Sequence, residues 1–149
     1  MSIDPMTVSD LARVLAEHDQ FWDGRDVRFL HHSVFVHEFG DTCLTARGAD
    51  GWIDGYLLGM TTPHRVGYIH VVAVRAAARG AGCALALYRA FAAAAAGHGA
   101  DRLRAITTEA NTGSIAFHRR LGFDVARVED YSGPGVPRMV MTRPLPLPD

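Results

Sequence analysis

The chain has 149 residues, fifteen basic against sixteen acidic side chains, a net charge of -1 and 48% hydrophobic residues. That length and balance describe one globular domain, and they exclude both a disordered chain and a nucleic-acid binder held by a broad basic face. Every basic residue is Arg and none is Lys, which removes Schiff-base chemistry, a P-loop lysine and a lysine general base.

No repeat or linker divides the sequence, so one α+β domain is expected over residues 1–149. Thr7-Val8-Ser9-Asp10 forms a capping-box pattern, and Val8, Leu11, Val14 and Leu15 follow at helical spacing, predicting a helix from Val8 to His18. Phe21 to Arg25 reads as an aromatic-rich turn. Asp26 then caps a second predicted helix running through Phe29, Leu30, Ser33 and Phe35 to Gly40. From Thr42 the period changes: Thr42–Arg47 and Trp52–Met60 read as strands joined at Ala49-Asp50-Gly51, and the β-branched run Tyr68–Val74 as a third. A glycine-rich turn leads into an Ala-rich helix from Gly82 to Ala96, stopped by Gly97 and Gly99. A short strand over Leu103–Thr107, a helix over Ser114–Leu121, and a closing pair of strands over Val125–Tyr131 and Val136–Thr142 complete the pattern. Pro144, Pro146 and Pro148 predict a frayed tail over about residues 144–149.

The longest apolar stretch, Cys83 to Ala96, is broken by Arg89 and too short for a bilayer, and Met1-Ser2-Ile3-Asp4-Pro5 has no signal-peptide character. No membrane partner and a reducing cytoplasmic setting are therefore expected. Cys43 and Cys83 make neither a disulfide framework nor a zinc site. His37-Glu38 opens like a zinc-protease motif, but Asp41 holds the place of the second histidine; His31 and His32 lie on adjacent faces. No metal site is expected.

The chemistry concentrates in Val74-Arg75-Ala76-Ala77-Ala78-Arg79-Gly80-Ala81-Gly82-Cys83-Ala84-Leu85. A strand ends, the chain turns through two glycines, and a helix begins with free N–H groups and the positive end of its dipole, a geometry suited to a pyrophosphate. Arg79 would add a fixed charge. The dinucleotide fingerprint fails because Leu85 occupies its sixth place, and no lysine is present for a Walker loop.

Arg79-Gly80-Ala81-Gly82-Cys83-Ala84 resembles the Arg/Gln-x-x-Gly-x-Gly/Ala signature of the GCN5-related N-acetyltransferase (GNAT) family. Asn111-Thr112-Gly113-Ser114-Ile115-Ala116-Phe117-His118-Arg119-Arg120-Leu121-Gly122-Phe123 resembles that family's second motif, in the right order and spacing. Ala76 replaces the common proline, and His118 stands where Tyr is most frequent. The resemblance covers nearly the whole chain and implies a mixed sheet flanked by helices, splayed at a site for acetyl-CoA. It assigns the pyrophosphate to Arg79, Gly80, Ala81, Gly82, Cys83 and Ala84. The pantetheine arm goes to the backbone of Val72 and Val74, with Asn111, Ser114 and Phe117 on the opposite side. It also implies acetyl transfer to a primary amine by direct attack, with His118 as general acid and His70 or, less directly, Glu38 as base. Period-two alternation places Tyr68, His70, Val72 and Val74 on one face. The acceptor pocket of such folds draws here on Phe21, Trp22, Phe35, His37, Glu38, Tyr131 and Arg138, an aromatic set with few carboxylates. It points to a small-molecule amine that is not polycationic. An acetyltransferase acting on protein N-termini or side chains, and a non-catalytic acyl-CoA-binding module, are the alternatives; a homodimer is left open.

Overall fold

The computed structural model describes residues 1–149. Seven strands form one mixed sheet: β1 (Ser2–Pro5), β2 (Cys43–Arg47), β3 (Ile53–Thr61), β4 (Val66–Val74), β5 (Arg102–Thr107), β6 (Asp124–Val128) and β7 (Arg138–Pro144). Their order is β1-β2-β3-β4-β5-β7-β6, antiparallel throughout except for the parallel β4–β5 pair. On one face lie α1 (Val8–Ala16), α2 (His18–Trp22) and α3 (Ser33–Phe39); α4 (Cys83–Gly97) and α5 (Thr112–Arg120) belong to the other. The α+β class expected from the sequence is the observed one. No helix is long and apolar enough to cross a membrane.

Four local expectations are corrected. The short, polar β1 carried no alternation to reveal it, since only Ile3 is partly buried; β2 supplies it by pairing from Ser2↔Arg47 to Pro5↔Leu44. The first helix stops at Ala16, and Phe21 and Trp22 lie in α2, not in a turn. The predicted second helix is broken into a 3-10 turn at Arg28–Leu30 and α3. Its break has a defined cause: His31 turns inward, with Nδ1 donating to the Val27 carbonyl at 2.9 Å and Nε2 accepting from the Tyr56 hydroxyl at 2.7 Å. The Val27 carbonyl also takes the Leu30 N–H, so the His31 N–H falls back on Arg28. The tail is not frayed. Leu145 and Leu147 pack on the core, and the Leu145 N–H donates to the Asp101 carbonyl at 2.9 Å.

The sheet separates two apolar clusters. Leu87, Tyr88, Phe91 and Ala95 of α4 pack with Leu57, Ile69 and Leu103 on one side. On the other, Leu11, Val14, Phe21 and Phe35 meet Tyr56, Leu58, Val71 and Ala73. Glycines let α4 sit close to the strands. A Cβ at Gly55 would lie 2.8 Å from Cys83 Sγ, one at Gly59 2.5 Å from the Phe91 ring, and one at Gly67 2.9 Å from Ala95 Cβ.

β4 carries a bulge. Leu58 pairs with Val71 but the next residue, Gly59, pairs with Ile69, so His70 is the extra residue. Gly67, Ile69, Val72 and Val74 consequently face α4, whereas Val71 and Ala73 face α3, as does His70, whose ring stacks on Phe35 at 4.7 Å. This corrects the expectation that Tyr68, His70, Val72 and Val74 share a face.

Candidate active site

The β4–β5 ladder ends at Ile69↔Ala105, although both strands run on. From His70 to Val74 β4 therefore has no strand partner on that side, and a groove of about 800 Å³ opens between the strands. Of the residues assigned to the cofactor, Val72, Val74, Arg79, Gly80, Gly82, Cys83, Ala84, Asn111, Ser114 and Phe117 line it. Ala81 is exposed and lines a neighbouring hollow instead.

At the mouth of this groove α4 begins. Gly80 and Gly82 take φ of +84° and +83°, a region other residues enter only with strain. A Cβ at either would meet nothing within 4 Å, so backbone conformation and close approach, not crowding inside the protein, explain the glycines. The first α4 ladder bond runs from Ala86 N to Gly82 O at 3.0 Å, and the amides from Gly80 to Leu85 have no acceptor in the loop. Six successive N–H groups at the positive end of a fifteen-residue helix form an anion cradle.

Arg79 does not add its charge to that cradle. Its Nη1 pairs with Asp23 at 2.8 Å, Nη2 donates to the Phe21 carbonyl at 2.9 Å, and Nε donates to the Val74 carbonyl at 3.1 Å. The guanidinium instead ties the end of α2 across the β4–α4 loop. Asp23, its partner, was not singled out from sequence; only an acid adjacent to the aromatics would have signalled it. Cys83 and Cys43 are buried thiols, each pushed up to about 11 by desolvation, which makes them unsuited to nucleophilic work.

α5 closes the groove from the far side. Asn111 caps it, accepting from Ser114 N at 3.3 Å while its amide donates to Thr107 Oγ1 at 3.0 Å. Phe117 packs edge-on against Tyr88, with ring centroids 5.4 Å apart. His118 is buried, 3% exposed. Its Nδ1 can only donate to the Ser114 carbonyl, at 2.7 Å, so Nε2 accepts the hydrogen of Tyr88 at 2.5 Å. Burial holds its pKa below the ordinary imidazole value, partly opposed by the bond to Ser114. A neutral ring with both nitrogens engaged has no proton directed at the groove, contrary to the acid role that the resemblance implies.

His70 is half-buried and lines the groove. Its Nε2–H donates to the Leu30 carbonyl at 3.1 Å, which leaves Nδ1 to accept from the Tyr68 hydroxyl at 3.2 Å. Desolvation lowers its pKa, the Leu30 bond raises it, and nearby His32 lowers it further. Tyr68 is a functional candidate that alternation alone did not mark. Leu30 directly precedes the inward His31, whose partner Tyr56 also accepts from Trp22 Nε1 at 2.8 Å.

The acceptor-side expectations divide. Phe21 and Trp22 line the groove, whereas His37 and Glu38 are exposed on α3 and lie outside it, so Glu38 is not placed to act as base. Burial raises the pKa of Tyr68, with a smaller contribution from Tyr131, which is exposed in the β6–β7 loop. Arg138 is half-buried at the start of β7.

A model of the acetyltransferase (GNAT) family matches residues 11–123. No curated protein matches the sequence. Among solved structures, nourseothricin acetyltransferase is 26% identical, with a TM-score of 0.63 over 70% of this chain and 65% of its own length, so less than two thirds of that protein is spanned. The ribosomal-protein-S18-alanine N-acetyltransferase of Escherichia coli is 15% identical, with a TM-score of 0.73 over 99% of this chain and 96% of that one. The NatB acetyltransferase complex bound to CoA and MES is 19% identical, with a TM-score of 0.76 over 98% and 100%.

Proposed function

Because the chain belongs to the GNAT acetyltransferase family, we propose that it moves the acetyl group of acetyl-CoA to the primary amine of a small molecule by direct attack, with no covalent enzyme intermediate. The observation that carries the reading is the continuity of two backbone features: a β4 edge with no strand partner from His70 to Val74, its last carbonyl taken by Arg79, running into the unpaired amides of Gly80 to Leu85. A pantetheine arm has amides that can pair with such an edge as an added strand, and a pyrophosphate suits the amide cradle. When bound, acetyl-CoA supplies an activated acyl carbon whose C–S bond breaks as the C–N bond forms.

This chain's residues then bind, orient and move protons. The Asp23–Arg79 clamp fixes the loop, and Asn111 fixes α5 across the groove. The neutral His70–Tyr68 pair accepts one proton from the ammonium: the Tyr68 oxygen takes it as the phenol hydrogen passes to His70 Nδ1. The second proton shed by the nitrogen goes to the sulfur. His118 is a positioning residue that braces α5 against Tyr88.

Calorimetric titration with acetyl-CoA, followed by CoA release across a panel of small amines and peptides, tests the reading. Saturable binding and release with small amines are expected. Absence of binding overturns the cofactor assignment, release with peptides alone overturns the acceptor class, and binding without release of CoA by any acceptor identifies a non-catalytic binding module.

A further inference from the structure

Beyond β4, the sheet face on the α3 side carries no helix. Alternation sends Leu103 and Ala105 of β5 and Met139 and Met141 of β7 into the core, so Arg104, Ile106, Arg138, Val140 and Thr142 stand on the open side. The register sets Arg104 beside Tyr68 and Ile106 beside Val140. An apolar floor thus lies next to the Tyr68–His70 pair, with an arginine at each end: Arg104, whose Nε donates to Thr142 Oγ1 at 3.2 Å, and Arg138, two residues before Val140. Ile106 also lines the cofactor groove, so floor and groove are continuous.

The charge on this face is unbalanced. Other half-buried guanidinium groups are matched: Arg47 by Asp10, Arg75 by Glu17, Arg102 by Asp101, and Arg143 by three carbonyl oxygens. Arg104 and Arg138 pair with no carboxylate. Arg104 has one bond, from Nε, and Arg138 one, from Nη1 to the Pro137 carbonyl at 2.9 Å. The acid on the same face, Asp124, sits exposed on the edge strand β6, opposite Thr142 and two strands from Arg104. Partly desolvated cations without a counter-charge favour an anionic ligand, and a guanidinium fork matches a carboxylate.

From this juxtaposition we infer that the acceptor is an amine that also carries a carboxylate on an apolar body, as an apolar amino acid does. The carboxylate is held by Arg104 or Arg138, the body lies on Ile106 and Val140, and the amine reaches the Tyr68 hydroxyl. The inference rests on the acetyl-transfer reading of the groove. Its test uses matched acceptors: an apolar amino acid, the same compound as its carboxamide, and the decarboxylated amine. CoA release by the unaltered protein should show kcat/KM for the amino acid about tenfold or more above both neutral partners, as expected for a charge-assisted hydrogen bond. Arg104→Gln and Arg138→Gln should shrink that preference, mainly by raising KM for the amino acid, with unchanged melting temperature. Equal or better use of the neutral partners overturns the inference, as does acetyl-CoA binding with no release by any amino acid. Failure of acetyl-CoA to bind in calorimetry overturns the groove assignment instead.

Discussion

Replacing His118 with Phe separates a structural role from an acid role. The ring of Phe fits an environment already built of aromatic edges, since the centroids of Phe117, Phe123 and Tyr88 lie 5.3, 5.0 and 5.5 Å from that of His118. What disappears is the acceptor for the Tyr88 hydroxyl, a group with no exposure to solvent. Leaving a buried donor unsatisfied costs about 1–3 kcal/mol, and at about 2–4 °C per kcal/mol for a chain of this size the melting temperature should fall by about 2–12 °C. Tyr88→Phe alone strands the His118 lone pair and should cost a similar amount. The double variant removes both partners and should be no less stable than either single variant, giving a coupling energy of at least about 1–3 kcal/mol in urea unfolding followed by circular dichroism. In the same proteins, kcat measured below the lowest melting point should change less than about threefold. Strictly additive destabilisation would refute the hydrogen-bond argument. A drop of about 10²-fold in kcat for His118→Phe, at modest loss of stability, would restore the acid role.

Other outcomes follow from the same geometry. Gly82→Val puts a β-branched residue at φ +83° and a side chain over the amide cradle, so acetyl-CoA affinity in calorimetry should fall by tenfold or more; unchanged affinity would misplace the cofactor. His70→Gln should abolish the acidic limb of the kcat/KM–pH profile, and Tyr68→Phe should lower kcat; a persisting limb would assign it to the amine's own ionisation. His31, His70 and His118 all have pKa values lowered from 6.5 by burial. The unfolded chain then binds more protons below that pH, so this stability is present above 6.5 and is lost as pH falls toward the folded values. Urea midpoints should decline below pH 6.5, and more gently in the His118→Phe/Tyr88→Phe protein.

Much of this site was legible because its signals are local. Two glycines before an Ala-rich helix, and Asn111 three residues ahead of Ser114, encode the cradle and the α5 cap with no help from distant residues. What stayed hidden depends on contacts far along the chain. The Arg79 charge is claimed by Asp23 and Phe21, and the break before α3 by Tyr56. The β4 bulge was hidden more thoroughly. Before it the α4 side is covered and buries Gly67 and Ile69; after it the α3 side is covered and buries Val71 and Ala73. Burial therefore alternates without interruption from Gly67 to Val74 while the faces exchange, and a hydropathy pattern records only burial.

The three glycine seats beneath α4 make that helix a beam resting on three supports, one near each end and one at mid-span. The end bearing the cradle amides lies about 18 Å from Ala95, at 1.5 Å per residue. A methyl group added at Gly67 would push up the opposite end and tilt the whole beam, since Ala95 and Leu103 leave it no room. The placement of the amide cradle is thus set partly by backbone atoms at the far end of the helix, and on the proposed reading Gly67→Ala should weaken acetyl-CoA binding without touching ligand or loop.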